Sequence, residues 1–296
     1  MKGVIAAIAT PVTTGNTPDI ARFLEHARTL LETGCDGLNV LGTTGEATSL
    51  SVTARQVLMQ AAAAALPCDR LMVGTGAAAL GDAIELTVAA ADLGFSGALL
   101  LPPFYYKTVA DDGLVAFVTA VADATVSPAI PLYLYNFPQM TGIVWSETLV
   151  RRLKDKLGPR LAGLKDSSGD LAYARTMAKI EDLAVFPSSE AVLLDARAGT
   201  FAGCISATAN VNASLCSRAF HQGDEDALAM AVAIRDLLGA APVIPGIKSV
   251  LAHNYSDGAW TRVLPPLLDL EKSSQDSIVR RVNEIRSRTS SMLRSC

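Results

Sequence analysis

Short runs of β-branched and leucine-type residues alternate along the chain with longer runs whose apolar positions recur at helical spacing. The short runs are Val4–Ala9, Gly37–Leu41, Leu71–Gly74, Ala98–Leu101, Pro131–Tyr135, Leu161–Lys165, Ala184–Phe186 and Gly203–Ser206. They are nearly continuous in apolar character, as parallel strands covered on both faces must be. Amphipathic stretches fill the gaps, for example Asp19–Glu32, Val52–Leu66, Gly81–Leu93 and Leu171–Glu181. Ser51 and Asp170 stand just before two helical stretches, where a side-chain oxygen satisfies the free amides of a first turn. Eight strand–helix units in succession predict a (β/α)8 TIM barrel, expected over residues 1–222. A doubly wound sheet is the rival fold, and the regular eight units without a second domain favour the barrel. Beyond residue 222 the pattern turns helical: "GDEDALAMAVAIRDLLGAA", then segments around Gly246–His253, Leu264–Leu270 and Asp276–Leu293. Residues 223–296 are therefore expected to form a C-terminal helical appendix packed on the barrel.

Catalytic residues of such barrels sit at the C-terminal ends of the strands. Here those ends read "GTTGE" (Gly42–Glu46), "GTG" (Gly74–Gly76), "PPFYY" (Pro102–Tyr106), "YNFP" (Tyr135–Pro138), "KDSSG" (Lys165–Gly169), "PSSE" (Pro187–Glu190) and "SATAN" (Ser206–Asn210). Lys165 ends an apolar run. Either it pairs with Asp166 at the surface, or it is an amine nucleophile in the barrel mouth. Burial lowers a lysine pKa towards neutrality, and a deprotonated amine condenses with a ketone to an iminium, an electron sink. Tyr135 ends the preceding strand, close enough to share a substrate with Lys165. It is either a packed tyrosine or a proton shuttle, since a phenol both donates and accepts. The glycine-flanked turn at Thr43 and Thr44 offers two hydroxyls and successive amides suited to a carboxylate. Ser188, Ser189 and Glu190 either bind substrate hydroxyls or cap the turn into the next helix. "GTGAAALGDA" has the glycine spacing of a dinucleotide loop, but the next strand ends in "LLLPPF" with no acid for a ribose, so the fingerprint is incomplete.

Composition narrows the partners. The 296 residues are half hydrophobic and carry a net charge of −4, with acids and bases mixed, which argues against nucleic acid or an anionic membrane. No apolar run reaches the roughly 18 residues of a membrane span, and the N-terminal apolar run is too short for a signal peptide. A cytoplasmic protein is expected. Its five cysteines are odd in number with no CxxC, which reads as reduced, mostly buried thiols. Three isolated histidines, His26, His221 and His253, form no HxxxH or HExxH pair, so no metal is expected.

Taken together, "GTTGE", "PPFYY", "YNFPQMTG", "GLKDSSGD" and "GCISATAN", in this order across essentially the whole chain, resemble the dihydrodipicolinate synthase / N-acetylneuraminate lyase family of class I pyruvate-dependent aldolases. The resemblance implies Lys165 as the Schiff-base lysine and Tyr135 as the catalytic tyrosine. It implies Thr43 and Thr44 as the carboxylate-binding pair, with Thr44 relaying a proton to Tyr135. Tyr106 would reach the neighbouring subunit's site, Ile205 would face the lysine, and Ala7 would lie near the pyruvyl pocket. A homo-oligomer, dimer or tetramer, and a covalent imine with no other cofactor follow from the same resemblance. One position departs: Met140 stands where the synthase branch carries an arginine for the carboxylate of aspartate semialdehyde. Methionine cannot form that bidentate pair, and loss of a charged donor costs about 1.5–3 kcal/mol, or roughly 10- to 100-fold in affinity. The expected activity is therefore an aldolase or lyase joining pyruvate to a small hydroxylated aldehyde, of the 2-keto-3-deoxy sugar acid type. Its alternatives are a true dihydrodipicolinate synthase with a rebuilt clamp, a non-catalytic barrel binding pyruvate or a sugar acid, and, weakest, a nucleotide-binding oxidoreductase.

Overall fold

The computed structural model describes residues 1–292, so Leu293 and Cys296 lie outside the described residues. Strands β1 (Gly3–Ala7), β2 (Gly37–Val40), β3 (Leu71–Gly74), β4 (Gly97–Leu100), β5 (Leu132–Asn136), β6 (Leu161–Asp166), β7 (Ala184–Pro187) and β8 (Gly203–Ser206) follow the expected runs, shifted at most by one or two residues. Between and after them lie helices α1 (Ile20–Glu32), α2 (Val52–Ala65), α3 (Leu80–Asp92), α4 (Asp111–Asp123), α5 (Pro138–Thr141), α6 (Glu147–Leu157), α7 (Leu171–Met177), α8 (Leu193–Arg197), α9 (Ala209–Ser217), α10 (Glu225–Gly239), α11 (Val243–Asn254) and α12 (Lys272–Met292). The strands pair in parallel in the order β7-β6-β5-β4-β3-β2-β1-β8. At the remaining seam the Ala202 amide donates to the Val185 carbonyl at 3.0 Å. The chain is the expected (β/α)8 barrel.

Every strand residue except Ala162 and Ala184 is buried, which is why the runs are apolar without alternation. The period of two survives inside that uniformity. Val4 and Ala6 pack with the surrounding helices, whereas Ile5 and Ala7 join Met72, Leu99, Tyr133, Tyr135, Phe186 and Ile205 around the barrel axis. Tyr133 fills so much of that axis that a Cβ at Gly163 would lie 2.5 Å from its ring. Glycine is thus required in β6, two residues before Lys165. Ser51 and Asp170 cap as the sequence predicts: the Ala54 amide donates to the Ser51 hydroxyl at 3.2 Å, and the Ala172 and Tyr173 amides donate to Asp170 at 2.9 and 3.1 Å. The helix expected to run to Glu181 stops at Met177, because the chain tightens into a turn and Asp182 takes a left-handed φ of 54°.

Past residue 222, α10, α11 and α12 enclose a second apolar cluster with Ala9 and Val211 of the barrel, centred on Ile247, Leu251 and Trp260. Leu264–Leu270 is not helical, contrary to the sequence expectation. Pro265 and Pro266 supply no amide protons, so a helix cannot form through them. The buried Lys248 ammonium pairs with the buried Glu46 carboxylate and donates to the Arg262 carbonyl at 2.7 Å. The other Glu46 oxygen accepts from the Leu264 amide at 2.6 Å. Among the described residues no single helix is long and apolar enough to cross a membrane. The pair α10 and α11 has the composition together, but across a 118° bend. Cys35, Cys204 and Cys216 are buried free thiols, and burial pushes Cys35 up to about 12 and the other two well above the usual thiol range.

His26 is buried between the barrel and the appendix, its ring nitrogens 2.9 Å from the Tyr255 hydroxyl and the Asn210 carboxamide oxygen. Burial pushes it down to about 4, against an opposing pull from Asn210. A base whose folded pKa is depressed is protonated first in the unfolded chain, so its contribution is complete above about pH 6.5 and is lost as pH falls towards 4. A loss of about 2–3 kcal/mol is expected by pH 4.5. Urea melts of the protein and of His26→Gln between pH 7.5 and 4.5 check this, and the variant should show the shallower pH dependence.

Candidate active site

The candidate site is built at the C-terminal mouth of the barrel, where β5 and β6 set the central pair. These strands pair in parallel with Tyr135 opposite Lys165 and Asn136 opposite Asp166. Successive strand residues face opposite ways, so Tyr135 and Lys165 turn inward together while Asn136 and Asp166 turn outward. Asn136 then ties the strand ends. Its amide donates to Asp166 at 2.8 Å, and its oxygen accepts from the Trp145 amide at 3.2 Å. The buried Trp145 indole donates to the Tyr135 carbonyl at 3.1 Å. Asp166 also accepts from the Ser168 amide and hydroxyl. Among the described residues it forms no ion pair with Lys165, so the surface-pair alternative does not hold.

The Lys165 side chain is buried, with its Nζ 4.3 Å from the centre of the Tyr135 ring. The Tyr135 hydroxyl lies 3.3 Å from that of Thr43 and accepts from Ser167 at 3.4 Å. The resemblance implies a proton relay from Thr44 to Tyr135, and in the structure it is the Thr43 hydroxyl that stands beside the Tyr135 hydroxyl. β2 ends at Val40 and Leu41 takes a left-handed φ of 55°, which re-aims the residues that follow. Gly74 leaves the room, since a Cβ there would lie 2.1 Å from the Leu41 carbonyl oxygen. Thr44 is buried and lines the same cavity. Burial pushes the Tyr135 phenol up, but the Lys165 ammonium and the hydrogen bonds with Ser167, Thr43 and Lys165 outweigh it and hold it below its ordinary range.

These groups line the floor of a cavity of about 560 Å³, shared with Ile205, Ser188 and Met140. Three of the nine expected residues behave differently from the rest. Ala7 lies in the axial cluster and does not reach the cavity, and its carbonyl accepts from Asn210 at 2.8 Å. Tyr106 is 71% exposed and packs edge-on against Tyr105 at 5.4 Å, away from the cavity of its own chain. Met140 lines the rim with 63% of its surface exposed. The "PSSE" turn divides between its two readings. Ser189 caps the Ala191 amide, and Ser188 faces the cavity. Glu190 is fully buried beneath it, accepting from Ser206 and Thr208.

Sequence reasoning missed the roof. Arg235 and Asp236 of α10, Pro242–Pro245 at the start of α11, and Leu267 all face the cavity. Phe137, stacked on Tyr135 at 5.7 Å, was also passed over, although it stands inside "YNFP". No short-range signal marks Arg235, which sits in an ordinary amphipathic helix. Among the described residues no group of three or more His, Cys, Asp and Glu side chains is arranged to hold a metal ion.

The dihydrodipicolinate synthetase family profile matches residues 1–285. The chain is 36% identical over 276 residues to an uncharacterized DapA-like lyase of Chloroflexus aurantiacus, covering 91% of this chain and 92% of that one. It is 32% identical over 286 residues to a 4-hydroxy-tetrahydrodipicolinate synthase of Synechococcus, covering 93% and 92%. The fold superimposes on the crystal structure of dihydrodipicolinate synthase from Agrobacterium tumefaciens with a TM-score of 0.89 at 31% identity, over 96% of this chain and 99% of that one. With the lysine, tyrosine and threonine gathered at one barrel mouth, the chain belongs to the dihydrodipicolinate synthetase family and is a pyruvate-dependent lyase of the class I aldolase type.

Proposed function

We propose that the protein makes or breaks a carbon–carbon bond between pyruvate and a small hydroxylated aldehyde, of the kind released from a 2-keto-3-deoxy sugar acid. The observation that carries this reading is the pairing of Lys165 with Tyr135 across β5 and β6, the Tyr135 hydroxyl in contact with Thr43. Lys165 Nζ attacks the C2 carbonyl of pyruvate. Tyr135, with Thr43 behind it, delivers the proton that lets the C2 oxygen leave as water. Thr44 and the turn amides hold the carboxylate and orient the ketone, which supplies proximity. Tyr135, left as phenolate, then takes the C3 proton while the iminium accepts the electron pair of that bond, giving an enamine whose C3 attacks the aldehyde carbon. Tyr135 protonates the resulting alkoxide, and water releases the product from Lys165. The reverse sequence is cleavage. The electron sink is the imine itself, so the reading calls for no metal or organic cofactor.

Met140 separates this reading from the synthase reading, which the names of two relatives favour. A thioether offers no charged donor for a second carboxylate. The proposal also assigns catalysis to residues 1–222 and a packed extension to 223–296, in a homo-oligomer, dimer or tetramer, of the cytoplasm. Tyr106, exposed and away from its own cavity, would there serve a second copy of the chain. A non-catalytic sensor would have no use for a lysine and a phenol in contact.

Incubation with pyruvate and borohydride should add one reduced pyruvyl group at Lys165, read by intact mass and peptide mapping. Lys165→Ala should lose the label while keeping its melting temperature. A label on another lysine would end the proposal. Tyr135→Phe should lower kcat by about 10²–10⁴-fold. Thr43→Val removes one hydrogen bond that holds the Tyr135 phenol down, so the alkaline limb of its pH–rate profile should move to higher pH. Thr44→Val should instead raise KM for pyruvate with that limb in place. Met140→Arg should raise kcat/KM for aspartate semialdehyde by about tenfold or more, and an unchanged value would mean that this position does not govern the choice.

A further inference from the structure

We propose that Arg235, Asp236 and the Ser188 hydroxyl form a subsite for the hydroxyl groups of a neutral aldehyde. The proposal rests on the aldolase reading above and names what the distal half of the cavity selects.

Lys165, Arg235 and Asp236 are the charged side chains among the described residues lining the cavity. Lys165 is committed to the floor. Arg235 is held along one edge only: its Nη1 donates to the Ser188 carbonyl at 2.7 Å and to the Glu190 carboxylate at 3.1 Å. Glu190 is itself fixed, since Ser206 donates to it at 2.6 Å and Thr208 donates to the same oxygen. The chain Ser206 and Thr208 to Glu190 to Arg235 therefore pins a guanidinium before any ligand arrives. Pinning lowers the entropic cost of binding. Among the described residues no partner occupies the Arg235 Nε or Nη2, the Ser188 hydroxyl or the Asp236 carboxylate. A donor fork, an acceptor and a hydroxyl that serves as either thus line one wall without partners.

Charge decides the class of ligand. One guanidinium against the carboxylates of Glu190 and Asp236 leaves this wall net negative. A ligand carboxylate would gain the Arg235 donors but meet the field of Glu190, 3.1 Å from Arg235, and of Asp236, the next residue of α10. Neutral hydroxyls use the same groups without that repulsion, donating to Asp236 and accepting from Arg235. Others of the lining residues, Phe137, Met140, Val243, Ile244 and Leu267, are apolar. A short polyol chain has this division, with oxygens along one edge and C–H groups on the other.

The test compares kcat/KM for D-glyceraldehyde, propanal and succinic semialdehyde in addition to pyruvate. The protein should favour glyceraldehyde over each of the others by about tenfold or more. Arg235→Ala should lower the glyceraldehyde-to-propanal ratio by about tenfold, chiefly through KM. Arg235→Lys keeps a cation beside Glu190 should the alanine variant not fold, and it should lower the same ratio because lysine lacks the planar fork. Asp236→Asn should raise the succinic-semialdehyde-to-propanal ratio. Preference of the unmodified protein for propanal or succinic semialdehyde would overturn the subsite, as would ratios that none of these variants moves. Borohydride trapping of pyruvate on the same preparations separates the two claims. Label at Lys165 with unmoved ratios rejects the subsite alone, whereas absence of label rejects the aldolase reading beneath it.

Discussion

The candidate site depends on one constraint: β5 and β6 must stay level, so that Tyr135 and Lys165 leave their strands side by side. A shift of one residue in either strand would turn its inward group, Tyr135 or Lys165, out and bring its neighbour, Asn136 or Asp166, in. Several costly features serve this register. Asn136 joins the two strand ends through Asp166, Trp145 clamps the Tyr135 carbonyl, and Gly163 gives way to the Tyr133 ring. None of these residues touches the cavity. They explain why "YNFP" and "LKD" carry more polar and glycine character than strand packing alone requires.

The second dependence runs between the barrel and its appendix. The turn that presents Thr43 and Thr44 ends at Glu46, a left-handed residue whose carboxylate is held by Lys248 and the Leu264 amide. Burying both charges is costly, and it is offset in part because Lys248 also donates to the Arg262 carbonyl and Glu46 also accepts from the Leu264 amide. Burial pushes the Lys248 ammonium down, and the pull of Glu46 opposes it. The appendix thus anchors the threonine turn from outside while α10 and α11 roof the cavity above it.

Much of this was legible in the sequence because it is local. The eight strands read from short apolar runs, and Lys165 stood out as the charge ending one of them. The barrel rule then brought Tyr135 and the threonine turn to the same mouth. What escaped depends on contacts made across long separations or on a single torsion. Which threonine stands beside Tyr135 is set by a contact between residues 92 apart, and Leu41, just before the threonines, is left-handed with no sequence mark of it. Arg235 became visible only when α10 folded over β7, 47 residues from its partner Ser188. The loss of a helix at Leu264–Leu270 was readable, since Pro265 and Pro266 forbid it, but the leucine spacing around them drew attention first.

The Glu46–Lys248 pair also has a consequence for order of synthesis. Glu46 emerges from the ribosome early, and its counter-charge follows 202 residues later. Until then the threonine turn has an uncompensated carboxylate at a place that becomes dry in the finished fold. Such a turn would stay hydrated and loosely held although all eight strands, the last ending at Ser206, precede Lys248. The contact that anchors the threonine turn can therefore form only once Lys248, 202 residues further along the chain, has been made.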